Sequence, residues 1–244
     1  MTKLSPRAVI FDLGSTLIEY EPIPWSELSV ICVQNAHRKL TASGIDLPDE
    51  QTFLQAFESI RDKYRAEVAL SCIEWTIPQV AEEMFRKMGI DADDALPDRF
   101  FSAYYEPVAE RLYAYDDAVD VLTRVKERVS KVGLVSNTIF PEETHRGELN
   151  RFGLKSFFDF TLFSSTFGRR KPHQEIFYKA ANLAGCAPSE CVYIGDRYRE
   201  DIEGPTAVGM SAILKLVDGR DYPEDLAGIR QIRSLSELNR YMDI

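Results

Sequence analysis

The chain has 244 residues, 45% of them hydrophobic and 28% charged, enough to bury a sizeable core in one large domain or in a core plus a smaller one. Its 29 Lys and Arg against 39 Asp and Glu leave a formal net charge of −10, which argues against a nucleic-acid partner and against an anionic membrane surface. No apolar run approaches the ~20 residues of a membrane helix, the Met1–Pro6 stretch lacks the apolar segment of a secretory signal, and Cys32, Cys72, Cys186 and Cys191 include no C-x-x-C pair, so a cytoplasmic protein with reduced, packed thiols is expected.

Residues 7–13 read as a buried strand, because Ala8-Val9-Ile10-Phe11 is apolar and the turn residues Gly14-Ser15-Thr16 follow. That strand delivers Asp12 to its C-terminal end, the edge where open α/β sheets bind ligands. Residues 18–22 read as a Pro-bounded linker. Four helical segments come next, at 25–40, 49–70, 76–88 and 97–112. Their apolar residues recur at three- and four-residue steps, as in Phe53, Phe57, Ile60 and Tyr64, and Asp49 and Thr76 read as N-caps. No strand alternation interrupts this block, so it reads as an inserted helical bundle.

Helices and strands then alternate. Helices are expected at 116–130, 142–152, 173–185, 201–208 and 235–242. Strands are expected at 131–136, 158–163, 191–194, 211–217 and 229–232. This alternation indicates βαβ units and a parallel sheet. The α/β core comprises residues 1–20 and 114–244, and the helical insert residues 21–113. The three histidines have no zinc-ligand spacing. His37 and His145 read as helix-surface residues and His173 as the residue that starts a helix. Tyr104, Tyr105, Tyr113 and Tyr115 read as an aromatic packing cluster where the chain returns to the core.

Four predicted strand ends carry polar groups: Asp12, then Ser136-Asn137, then Lys171 in Arg169-Arg170-Lys171-Pro172, then Gly195-Asp196 with Asp201. In a parallel sheet these ends share one edge. Three carboxylates at one point repel one another, and a divalent cation removes that penalty. Carboxylates with a backbone carbonyl suit Mg²⁺, which also takes a substrate phosphate oxygen. One carboxylate can attack phosphorus and form an aspartyl-phosphate. Lys171 would hold that nucleophile and neutralise phosphoryl oxygens, and Ser136 with nearby N–H groups would bind them as charge develops.

These motifs resemble those of the haloacid dehalogenase-like (HAD) hydrolase superfamily, with a helical cap between the first and second motifs. Asp12-Leu13-Gly14-Ser15-Thr16 corresponds to the first motif, D-x-D-x-[TV]. Ser136 is the strand-end hydroxyl of the second, Lys171 the lysine of the third, and Gly195-Asp196 with Asp201 the acidic pair of the fourth. The resemblance implies a Rossmann-like parallel sheet flanked by helices, Mg²⁺, Asp12 as nucleophile, and hydrolysis of a small phosphorylated metabolite. It also implies catalytic roles for Asp12, Ser136 and Lys171, substrate contacts from Ser136, Asn137 and Lys171, and metal ligation by Asp12, Gly14, Asp196 and Asp201.

One position departs from the pattern. Most phosphatases of this family carry a second Asp two residues after the nucleophile, which protonates the leaving oxygen and then activates water. Here that place is Gly14. Its carbonyl can still ligate a metal, but it can move no proton, and general acid–base help is typically worth ~10²–10⁴ in rate. Two alternatives therefore stand beside the phosphatase: a metal-independent 2-haloacid dehalogenase, and a catalytically weakened member that binds a phosphate ligand or a protein. The sequence assigns no substrate and no oligomeric state.

Overall fold

The structure, a computed structural model, describes residues 3–90 and 93–244. The expected core and insert ranges also include Met1, Thr2, Asp91 and Ala92, which lie outside the described residues. The chain forms two compact units. One runs to Glu19 and resumes over Tyr113–Ile244; the other is Tyr20–Leu112.

The first unit is built on a six-stranded parallel sheet, as the strand–helix alternation predicts. Its strands are β1 (Ala8–Phe11), β4 (Lys131–Ser136), β5 (Phe160–Phe163), β6 (Cys191–Gly195), β7 (Ser211–Lys215) and β8 (Arg230–Ile232), in the order β5-β4-β1-β6-β7-β8. β1 lies between β4 and β6, with Phe11 opposite both Leu134 and Ile194. The strand order reverses beside β1, and such a reversal opens a crevice at the C-terminal edge. Every β1 residue is buried, which is why its sequence is a continuous apolar run rather than an alternating one. Helix α8 (Gln174–Ala184) packs Ile176, Phe177 and Ala180 against Ile10, Val135 and Tyr193 of the sheet.

The second unit contains α1 (Trp25–Ala42), α2 (Glu50–Ser71), α3 (Ile77–Met88) and α4 (Leu96–Ala109). Asp49 caps α2 through the Thr52 N–H, and Thr76 forms a capping box with Gln79 on α3. Phe53, Phe57, Phe85, Phe100 and Tyr104 form an aromatic core, with neighbouring ring centres 5.6 to 6.2 Å apart. Among the described residues no helix is long and apolar enough to cross a membrane.

Several elements differ from the sequence reading. The expected linker at 18–22 begins with β2 (Ile18–Glu19), which pairs antiparallel with β3 (Tyr113–Ala114). A two-residue ladder carries no hydrophobic period, so no pattern announces it. The first strand stops at Phe11, because the Leu13 carbonyl accepts from Thr16, Leu17 and Ile18 and turns the chain. The expected helix at 201–208 is a wider π-helical turn, Tyr198–Glu203, followed by the short α9 (Gly204–Ala207). The last segment is a 3₁₀ helix, Leu235–Arg240, and Ser164-Ser165 open a short helix, α7 (Ser164–Phe167). The tyrosines divide between the two units: Tyr104 packs on Phe57 and Phe100, and Tyr113 meets Tyr115 edge-on.

Candidate active site

β1 ends at Phe11, and the next residue, Asp12, donates its N–H to the Ile194 carbonyl at 2.8 Å. This bond extends the β1–β6 ladder by one step. It sets Asp12 beside Gly195-Asp196, where β6 ends. Gly195 is required there, because a Cβ on it would lie 2.4 Å from Asp201 Cγ. The π-helical turn brings Asp201 back over Gly195, and the Arg197 N–H donates to its Oδ2 at 2.9 Å. Asp12, Asp196 and Asp201 thus place carboxylate oxygens within 4.8 Å of one another, all buried.

Lys171 reaches the same point from the loop after α7. Its ammonium donates to Asp12 Oδ1 at 2.8 Å, to Asp201 Oδ1 at 2.6 Å and to the Tyr193 hydroxyl at 2.8 Å, with the side chain 2% exposed. Its backbone is held twice by Asn137: the Asn137 amide donates to the Lys171 carbonyl at 2.9 Å, and the Lys171 N–H donates to Asn137 Oδ1 at 2.7 Å. Asn137 therefore acts on the position of Lys171 and not on the carboxylates. Ser136, buried at the end of β4, donates to the Asn137 carbonyl at 3.4 Å. Gly14 is half-buried and forms an isolated backbone bridge with Ile18.

Burial is the largest influence on these charges. It would lower the Lys171 pKa, but Asp12 and Asp201 outweigh it and hold the ammonium well above the usual lysine range. Burial pushes Asp201 up to about 6, against the pull of Lys171. Burial, then Asp12 and Asp201, raises Asp196 well above the carboxylate range, with Arg220 and Arg197 opposing. Such a cluster gains from one more hard cation. An all-oxygen donor set of this kind fits Mg²⁺ and offers no soft ligand for zinc or copper.

Several residues at this edge were not anticipated. Tyr193 links the Lys171 ammonium to the Val135 carbonyl, to which it donates at 2.8 Å. Ser15 adopts a left-handed conformation, φ 52°. The buried Lys215 ammonium donates to its carbonyl at 2.7 Å, and its hydroxyl donates to Glu19 at 3.2 Å. Arg220 spans Ser15 Oγ at 3.2 Å and Asp196 Oδ2 at 2.8 Å. The one available signal is Lys215, a charged residue at the end of an otherwise apolar strand run; Tyr193 lies in the middle of its strand. His145 is also corrected: it is 2% exposed, not on the surface. His173 sits at the N-cap of α8 and accepts from the Glu175 N–H.

The family model of the haloacid dehalogenase-like hydrolases matches this chain over residues 44–215. The chain belongs to that family. It is 28% identical over 209 residues to a glyceraldehyde 3-phosphate phosphatase of Methanopyrus kandleri, spanning 85% of this chain and 82% of that protein. It is 29% identical over 192 residues to human haloacid dehalogenase-like hydrolase domain-containing protein 3, spanning 72% and 71%. The crystal structure of an HAD phosphatase from Thermococcus onnurineus superposes with a TM-score of 0.67 at 25% identity, over 96% of each chain. A 2-haloacid dehalogenase from Pseudomonas syringae shares the fold, with a TM-score of 0.72 at 21% identity over 99% and 98%.

Proposed function

We propose that this HAD-like hydrolase is a Mg²⁺-dependent phosphatase that acts on a small phosphorylated metabolite through an aspartyl-phosphate on Asp12. The observation that carries this reading is the buried Lys171, bridging Asp12 and Asp201 inside a three-carboxylate cluster. A phosphoryl group is dianionic, and a site of three carboxylates repels it unless cations are present. Bound Mg²⁺ would supply the Lewis acidity that polarises the phosphoryl oxygens. Asp12, Asp196 and the Gly14 carbonyl are its proposed ligands. Both Asp201 oxygens already accept hydrogen bonds, from Lys171 and from the Arg197 N–H, which favours a role in orienting Lys171.

In this mechanism Asp12 attacks phosphorus in line, with the Lys171 ammonium aligning the attacking carboxylate and neutralising the oxygens that gain charge. The ester oxygen leaves, and water hydrolyses the aspartyl-phosphate to free Asp12 and phosphate. Gly14 offers no proton to the leaving oxygen, so substrates with good leaving groups are favoured. The four-helix unit is the proposed selector of the non-phosphate part, and the names of the archaeal relatives make three-carbon sugar phosphates the first candidates. A metal-free 2-haloacid dehalogenase accounts poorly for the buried Asp196 and Asp201 beside an anionic substrate.

Asp12→Asn should lower phosphatase turnover by ~10⁴-fold or more while leaving the circular dichroism spectrum unchanged. Full activity in that variant, or turnover that survives complete chelation of divalent cations, would refute the assignment.

A further inference from the structure

Helix α6 (Glu142–Arg151) buries only three residues, and two of them are His145 and Glu148. They are three positions apart and therefore share a face. Glu148 Oε2 meets His145 Nδ1 at 2.6 Å, and His145 Nε2 meets Thr138 Oγ1 at 2.6 Å. Thr138, His145 and Glu148 are 7%, 2% and 5% exposed. The imidazole also stacks on Phe163, ring centres 5.1 Å apart.

As a stabilising device this is a poor choice. A buried ionisable pair is often no better than apolar side chains of the same volume. What it provides is direction. A carboxylate only accepts, so Glu148 places a hydrogen on Nδ1 and turns Nε2 toward Thr138. Thr138 is then held at every polar atom. Its hydroxyl meets His145 and accepts from the Phe140 N–H at 3.0 Å. Its N–H donates to Ser164 Oγ at 2.8 Å, and its carbonyl accepts from the same hydroxyl at 3.3 Å. Thr138 follows directly on Ser136-Asn137, and Asn137 clamps the Lys171 backbone. A continuous bonded path thus runs from Glu148 through His145, Thr138, Asn137 and Lys171 to Asp12.

We propose that His145, oriented by Glu148, is a positioning residue for the phosphoryl-binding edge: it locks Thr138 and thereby sets Ser136 and Asn137 against Lys171. The inference rests on the proposed reading of this edge as phosphoryl-binding, with Lys171 and the expected contact Ser136 meeting the phosphoryl oxygens and Asn137 holding Lys171 in place.

The test uses inorganic phosphate as a competitive inhibitor of p-nitrophenyl phosphate hydrolysis, with kcat, KM and Tm measured beside it. His145→Asn keeps an amide at the Nδ1 position for Glu148 but cannot reach Thr138. His145→Gln restores a polar atom near Nε2. Thr138→Val removes the hydroxyl at constant shape, and Thr138→Ser keeps it. His145→Asn and Thr138→Val should each weaken phosphate inhibition about tenfold, with KM rising alongside. The double variant should be no worse than either single one, and His145→Gln and Thr138→Ser should recover most of the loss. A fall in Tm with unchanged phosphate inhibition and KM means the triad is merely structural and overturns the inference. Ser136→Ala separates the two levels. If it weakens phosphate while the Thr138 and His145 variants do not, only the positioning role falls. If it too leaves phosphate inhibition unchanged, the phosphoryl-edge reading falls and the positioning role with it.

Discussion

Lys171→Met is the sharpest test of the charge arrangement. It keeps an unbranched side chain as far as the Cε position and removes the ammonium. At 2.8 Å from Asp12 and 2.6 Å from Asp201, each contact is worth about 6 kcal/mol of Coulomb energy at an effective dielectric of ~20. Burying the three charges costs several kcal/mol per ion, so the net worth of the intact cluster is far smaller. Removing one partner is different, because it strands two carboxylates without their cation. We expect a loss of ~3–5 kcal/mol. The loss depends on pH, with a definite sign. Burial already lifts Asp201 to about 6 against the pull of Lys171, and without that ammonium it rises further. A carboxyl whose folded-state pKa lies above its unfolded value contributes stability at acid pH that is lost as pH rises through the folded pKa. The variant should therefore be most destabilised near pH 8.5 and recover toward pH 5.5, where protons replace the ammonium. Urea denaturation of metal-free protein, followed by circular dichroism at both values, measures this. A loss under ~1 kcal/mol at pH 8.5, or a penalty that grows on acidification, would refute the reasoning.

Gly195→Ala should cost about 1–3 kcal/mol, because its Cβ would meet the Asp201 carboxyl carbon at 2.4 Å; thermal melts should show a drop of about 3–10 °C, and an unchanged Tm contradicts the packing. Burial pushes the Cys32 and Cys191 thiols up to about 12, which leaves roughly a thousandfold less thiolate at pH 8 than an ordinary thiol. Both should stay silent to Ellman's reagent in the native protein and react once it is denatured; rapid native labelling at either counts against their burial. Gly14→Asp should raise turnover of alkyl phosphates, which need a protonated leaving oxygen, far more than turnover of p-nitrophenyl phosphate. Equal turnover of both in variant and parent would mean that another group already supplies the proton.

Much of the candidate site was legible because it is built from residues that directly follow strands. Asp12, Ser136 and Asp196 each stand at or one step past the end of an apolar run, and a parallel sheet aligns such ends on one edge. Asp201 and Lys171 were legible by motif. The partners that hold these groups were not. Tyr193 sits inside a strand and looks like core. His145 and Glu148 lie on a helix whose face could not be judged, since α6 has few apolar residues to mark it. Lys215, Arg220 and Glu19 meet at Ser15 across separations of up to 205 residues, and no local period reports a contact of that length.

The sequence by itself determined the parallel α/β core, the helical insert and the order in which polar groups arrive at the sheet edge. These follow from periodicity and turn chemistry, which act over a few residues. Only the tertiary structure decided that Lys171 bridges Asp12 and Asp201, that Gly195 must lack a side chain, and that Asn137 grips a backbone rather than a carboxylate. Those outcomes depend on strand register and on the width of the turn at Tyr198–Glu203. Both are set by packing between segments far apart in the chain, and electrostatics in a buried cluster changes with every ångström of that packing.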